Sequence, residues 1–234
     1  MSKKREHWGD RPDGVLLREL DSLHYITGIL YPNRCDNEAF ISETIDLTNA
    51  MAYLEKKNAT EDVFKYTMFH VIVTAIIKTI TLRPKLNRFI QNKNMYQRNE
   101  VTASFVVKKL FTDDGAEALA IIHAEDEDTI ESIHEKLFKQ ISTAKKADSV
   151  DSSTDSMDMF NRMPRFVMKF LVWIITILDR HGKCPQSLIE TDPYYTSVVL
   201  SNVGSIRLKS GYHHLVNWGT NSIFCLIRTF WICR

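Results

Sequence analysis

Two short apolar, β-branched runs, Ser197–Leu200 and Ser222–Ile227, flank a polar stretch broken by Gly204, Gly211 and Gly219, a pattern that predicts two strands joined by a turn-rich connection. Connections of this kind are where a β-scaffold presents reactive groups. Here the connection carries His213 and His214, the one adjacent pair of imidazoles in the chain. The plainest reading of Tyr212–Leu215 is a packed turn whose histidines satisfy backbone groups. Upstream, Ala39–Leu47 alternates around Ile41, Ile45 and Leu47 and reads as a half-buried strand, after which Thr48 is placed to cap a short helix carrying Ala50, Met51 and Leu54.

The strongest helical signal covers Thr60–Leu82. Thr60 can serve as N-cap, Glu61 and Asp62 suit the positive end of the helix dipole, and Pro84 stops the run. Apolar residues cover most of its circumference, so it is expected to be the buried central helix, with His70 as a core side chain. Arg83–Arg98 reads as a turn and a short extended piece. Val101–Leu110 and Glu117–Ala124 read as strands of a hairpin turning at Asp113–Gly115. Asp126–Lys145 is an amphipathic helix with the stripe Ile130, Ile133, Leu137 and Ile141. Its acidic start, Glu125–Asp128, fits dipole partners better than a metal site. Ala147–Asn161 is a Ser- and Asp-rich loop. Phe166–Leu178 is apolar but shorter than the roughly twenty residues that span a bilayer. Met1–Asp21 is polar apart from Trp8, Leu16, Leu17 and Leu20, which suggests an arm over residues 1–20 docked on a single domain, 21–234.

Composition narrows the partners. The 30 basic and 29 acidic residues leave a formal charge of +1, which gives no electrostatic reason to expect nucleic acid. Cys35, Cys184, Cys225 and Cys233 form no C-x-x-C pair, and the charged N-terminus lacks the apolar core of a signal peptide. A reduced, cytoplasmic protein without metal is the expectation, and the N-x-T match at Asn58–Thr60 is then coincidental. Dinucleotide-binding, phosphate-loop, zinc-protease and nucleophile-elbow motifs are missing from the sequence.

The series RPKLNRFI (Arg83–Ile90), YQRNEVTASFVVKK (Tyr96–Lys109), MPRF (Met163–Phe166), DPYYTSVVLSNVGSI (Asp192–Ile206) and YHHLVNWGTNSIF (Tyr212–Phe224) resembles, in matching order, the catalytic domain of 2-oxoacid dehydrogenase acyltransferases and their stand-alone bacterial relatives. That family is similar in turn to chloramphenicol acetyltransferase. The resemblance implies an α/β (α+β) fold, a two-layer sandwich, assembled as homotrimers with the site in a tunnel between subunits. It also implies acyl transfer between a coenzyme A thioester and a lipoyl group or small hydroxylated molecule. The family's base is the His of an H-x-x-x-D-G motif. A neutral imidazole takes the proton of the attacking thiol or hydroxyl, and a hydroxyl donor steadies the oxyanion.

This chain departs from the pattern at that motif. The residues four places after its eight histidines are Arg11, Gly28, Thr74, Glu127, Phe138, Pro185, Asn217 and Trp218, so no H-x-x-x-D exists. His213–Gly219 imitates the motif with Trp218 in place of the Asp. The expectation is that Ile227 falls within the penultimate core strand, that the last strand, the catalytic His and the closing helix are absent, and that Arg228–Arg234 replaces them. By resemblance, Arg34 stands where the Asp-pairing Arg belongs, and Ser205 near the oxyanion-stabilising hydroxyl. Two readings follow: an acyltransferase lacking its base, or a non-catalytic trimer-forming protein on the same fold. Membrane association through Phe166–Leu178 is a third, less favoured one.

Overall fold

The computed structural model describes residues 7–31, 33–61, 63–108, 117–145, 163–206 and 211–228. Among these, the core is a four-stranded sheet in the order β5-β4-β6-β7, with two helices packed on one face. Strands β4 (Val101–Lys108) and β5 (Glu117–Ala124) form the expected antiparallel hairpin, registered from Val101 opposite Ala124 to Lys108 opposite Glu117. Its turn lies outside the described residues. The two runs that flank the histidine-bearing stretch become β6 (Val198–Asn202) and β7 (Ile223–Ile227), which run parallel to β4 and to each other.

Alternation along β4 decides what each face does. Ala103, Phe105 and Val107 point to the helices and join Ala120, Ile122, Val198 and Leu200 in one core. Ser104 points the other way and is fully buried, its hydroxyl 3.2 Å from the Pro193 carbonyl and 2.9 Å from Thr196 Oγ1. The helices on the core face are α3 (Met68–Leu82), through Val73, Ile77 and Ile80, and α4 (Ile130–Lys145), through Ile133 and Leu137. Helix α4 keeps the expected stripe but starts at Ile130. Asp128 before it accepts the Glu125 N–H at 2.8 Å and pairs with Lys136 at 2.7 Å.

Three expectations are corrected. Helix α3 begins at Met68 rather than near Thr60, because Thr67 takes the extended N-cap conformation and His70, three residues on, accepts its backbone N–H. No strand forms over residues 39–47. Phe40, Ile41 and Ile45 are exposed there, so the alternation buries no face. Helix α2 (Thr48–Asn58) does start at Thr48, but Thr48 is its first residue and not its cap: Leu47 holds the N-cap position, and Asp46 accepts both the N–H and the hydroxyl of Thr48, at 2.9 and 2.6 Å.

A second, three-stranded antiparallel sheet, β1-β3-β2, lies beside the first. Arg83–Arg98, read as a turn and an extended piece, supplies its hairpin β2 (Arg88–Gln91) and β3 (Asn94–Arg98). Asn92 and Lys93 turn it with positive φ values of 48° and 63°, the conformation that two-residue hairpin loops favour. The third strand, β1 (Gly14–Leu16), comes from the N-terminal arm. Helix α1 (Ser22–Leu30), capped by Asp21, contacts β3. Helix α5 (Arg165–Arg180) is anchored at its C-terminal end by buried Asp179, whereas Phe166, Phe170 and Trp173 stand exposed. The short helix α6 (Gln186–Thr191) leads to the turn Pro193–Tyr195. No helix among the described residues is long and apolar enough to cross a membrane.

Gly219 joins the connection to the core. Its φ is +72°, and a Cβ there would lie 2.3 Å from the Tyr194 carbonyl oxygen, which accepts the N–H groups of Thr220 and Asn221 at 2.7 and 2.8 Å. Gly219→Ala is therefore expected to lower stability by about 1–3 kcal/mol through the backbone conformation alone, with the steric clash adding to it. Urea unfolding of the two proteins measures this.

Candidate functional site

Arg11 is buried to 1% exposure and meets two carboxylates. Its Nε donates to Asp13 at 2.8 Å and one Nη donates to Asp179 at 2.8 Å. Phe89 and Tyr96, stacked at 5.3 Å, present their rings to the same guanidinium at 5.6 and 5.7 Å. Burial alone would lower the Arg11 pKa, but the two carboxylates hold it above the ordinary arginine value. Asp13 in turn accepts the Thr220 hydroxyl at 3.1 Å, and Thr220 accepts Arg98 through its carbonyl at 2.7 Å. Arg98 also donates to the Tyr195 carbonyl at 2.6 Å. Burial pushes its pKa down to about 10, against the pull of Asp13. The N-terminal segment, the small sheet, α5 and the strand ends around 195 and 220 are thus joined by one polar network.

On the other side of Asp179 lies a cavity of about 520 Å³, walled by α1, the β2–β3 hairpin, the last turn of α5 and the Leu215–Gly219 segment. Among the described residues four cations, Arg34, Arg88, Lys93 and Arg180, border it against one carboxylate, Asp179, which pairs with Arg11 and which Gln91 also reaches. The balance favours an anionic occupant. Tyr31, Phe89 and Trp218 add aromatic surface. The site is concave and combines these aromatic side chains with polar and charged groups able to orient a small molecule.

Arg34 sits in the 3-10 turn Arg34–Asn37 and enters this cavity. It makes no carboxylate ion pair among the described residues. Its guanidinium instead donates to the carbonyls of Gly219 at 2.7 Å and Trp218 at 3.3 Å, and its backbone N–H to Asn217 Oδ1 at 3.0 Å. Burial lowers its pKa to about 10, opposed by Asp179, Tyr195 and Glu38, so it remains a cation at neutral pH. Ser205 lies in the 3-10 turn Val203–Ile206 that ends β6, and its side chain is outside the described residues. The structure therefore places Arg34 in the cavity and does not describe Ser205 there.

The histidine-bearing stretch lies at the cavity rim. His214 is exposed and its Nδ1 lies 2.7 Å from Glu38 Oε2, while Glu38 also accepts the Leu215 N–H. That N–H and His214 hold Glu38 below the usual carboxylate range although burial alone would raise it. His213 stacks on Phe224 at 4.0 Å, with Nδ1 2.6 Å from the His214 carbonyl. None of the eight histidines lines the cavity. Trp218 donates its indole N–H to Asp192 at 2.6 Å, which helps fix the wall. The sequence reading missed Arg11, Asp179, Lys93 and Arg180. Arg11 and Asp179 are 168 positions apart, so no spacing rule could join them. Among the described residues no group of three or more His, Cys, Asp or Glu side chains is arranged to hold a metal ion.

No protein-family model and no curated protein matches the chain. Solved structures do. One is a truncated catalytic core of the 2-oxoacid dehydrogenase multienzyme complex from Thermoplasma acidophilum, with TM-score 0.50 and 13% identity over 92% of this chain and 80% of that one. A probable dihydrolipoamide acetyltransferase from Listeria monocytogenes gives 0.48 and 13%, covering 87% and 70%. The dihydrolipoamide acetyltransferase of Azotobacter vinelandii gives 0.47 and 13%, covering 84% and 63%, so this chain spans less than two thirds of that one. The architecture is that of 2-oxoacid dehydrogenase acyltransferase catalytic cores, a mixed α/β fold of the chloramphenicol acetyltransferase-like type. At this identity the likeness establishes the fold, and function has to be argued from the site.

Removing Arg11 leaves two buried carboxylates facing each other without their cation. Arg11→Met is expected to cost about 3–5 kcal/mol, the range for breaking one side of a buried ion pair. A Tm within a degree of the parent protein would show that the network contributes no stability.

Proposed function

We propose that the chain is an acyltransferase-type subunit whose cationic cavity receives the phosphate-bearing part of a coenzyme A thioester. The acyl group would pass to a thiol or hydroxyl acceptor, a lipoyl group or a small hydroxylated molecule. The observation that carries this reading is the set Arg34, Arg88, Lys93 and Arg180 around one cavity whose single carboxylate is already paired. Charge-assisted hydrogen bonds from such groups suit phosphate oxygens. The fold shared with 2-oxoacid dehydrogenase cores agrees with it.

A homotrimer is part of the proposal. The similar structures come from multienzyme cores, and α1 and α5, which both border the cavity, leave Leu23, Ile26, Leu30, Phe166, Phe170 and Trp173 exposed. Apolar area on this scale is what a subunit contact would cover. A cytoplasmic location fits the same picture.

One observation favours a second reading, in which the protein binds the thioester without turning it over. No H-x-x-x-D-G occurs in the 234 residues, and no imidazole borders the cavity to take a proton from an acceptor. Arg34 then serves as an anion-holding group rather than as the partner of a motif Asp.

Coenzyme A titrated into the protein by calorimetry is expected to bind, and the double variant Arg34→Ala/Arg180→Ala to bind at least about tenfold more weakly, the effect of losing charge-assisted contacts. Unchanged affinity would remove the cavity from the account. With acetyl-coenzyme A and no added partner, free thiol should appear no faster than in buffer. Robust release that disappears in His214→Ala would instead identify that rim histidine as the base. Sedimentation should show a species of three times 27.1 kDa.

A further inference from the structure

Away from the cavity, two histidines meet between α3 and α4, each with one buried ring nitrogen that has no hydrogen-bond partner among the described residues. His70 is 2% exposed and His134 8%, and their ring centroids lie 5.0 Å apart. The Thr67 backbone N–H donates to His70 Nδ1 at 3.0 Å. That nitrogen therefore holds a lone pair, the proton of the neutral ring sits on Nε2, and this buried N–H has no acceptor. His134 Nδ1 is also buried with nothing donating to it. With both rings neutral, His70 offers a donor, and His134 Nδ1 offers an acceptor when that ring carries its proton on Nε2. A further proton on His134 turns that acceptor into a second donor.

The pair forms the floor under the segment that links α2 to α3. Tyr66 stacks on His134 at 3.8 Å and 16°, and Phe64 touches both imidazoles, at 5.2 Å from His70 and 4.9 Å from His134. Asn58, the last residue of α2, grips Tyr66 from above, accepting its N–H at 2.7 Å and donating to its carbonyl at 2.8 Å. The charged and titratable groups around the pair come from three elements. Helix α2 supplies Tyr53 and Lys57, whose ammonium lies 5.0 Å over the Tyr66 ring and pairs with Glu131. The linking segment supplies Glu61, which caps Val63 and Phe64, and α4 supplies Glu131 and Glu135. None of these carboxylates makes a hydrogen bond to either imidazole.

We infer that the His70–His134 pair is a proton-operated latch: neutral, it holds Phe64–Thr67 and the end of α2 against the helical layer, and protonated, it releases them while the sheet core stays folded. Burial, and then the neighbouring His134, keep His70 neutral down to about pH 4, and burial lowers His134 as well. The closed form thus binds fewer protons than the open one. Its advantage is complete above about pH 6.5 and is lost as the pH falls toward 4. The inference does not rest on coenzyme A binding.

Hydrogen exchange read by mass spectrometry from pH 7.5 to 4.5, corrected for intrinsic exchange, tests it on the intact protein. Backbone amides report opening, and the slow exchange of each imidazole Cε1–H reports its titration. Peptides over residues 63–67 are expected to lose at least about tenfold in protection as the pH falls below 6.5, while those over Val73–Ile80 and Val198–Leu200 keep theirs. In His134→Gln, which cannot take up a proton, opening should shift at least one pH unit lower. If that variant does not fold, His70→Gln carries the same expectation. Constant protection of 63–67 down to pH 4.5, loss of the core peptides together with them, or an unshifted midpoint in the variant would overturn the latch.

Discussion

A buried guanidinium between two carboxylates is the contact on which the rest of this molecule depends. Arg11 joins Asp13 on its own segment to Asp179 at the end of α5, and through Thr220 the network reaches Arg98 and the ends of the strands around 195 and 220. Charges out of water are costly unless their hydrogen bonds are nearly all made. Here each carboxylate finds more than one donor and the guanidinium lies against two aromatic rings. The arrangement is tolerated only in one geometry, so it fixes the N-terminal segment, the small sheet and α5 relative to one another.

The cavity follows from that geometry. Asp179 forms part of its wall while paired with Arg11, and among the described residues the cations that border the space make no ion pair with a carboxylate. Arg34 is held by carbonyls, which position a guanidinium but do not neutralise it. Trp218 and Gly219 supply those carbonyls; Trp218 is anchored to Asp192, and the residues after Gly219, Thr220 and Asn221, are anchored to the Tyr194 carbonyl. An anion entering this space meets positive charge fixed in advance, and the energetic benefit does not depend on reordering the wall.

Much of the sheet and helix layer was legible in the sequence because its patterns are local. The β4–β5 hairpin, the stripe of α4 and the two runs that became β6 and β7 each show the period of the surface they bury. The hairpin at Asn92–Lys93 was read only as an extended piece because its turn lacks the usual Asn-Gly signal. The start of α3 was misplaced because Thr60 and Glu61 imitate a cap, whereas the Thr67–His70 pair makes the real one. Alternation is misleading at residues 39–47, where Phe40, Ile41 and Ile45 stay exposed and no strand forms. Of the candidate site, Arg34 was legible only by resemblance, and its carbonyl partners lie about 185 positions away. Arg11, Asp179 and Arg180 are ordinary surface-type charges in sequence, and only the fold brings them to one place.

Holding a coenzyme A thioester and cleaving it are separate proposals, and both share one claim, that the cationic cavity is where the thioester would bind. A crystal structure of the protein soaked with coenzyme A tests that claim most directly. Phosphate density is expected among Arg34, Lys93 and Arg180, with the Arg11–Asp179 pair intact behind it. Coenzyme A bound elsewhere with this cavity empty would contradict it.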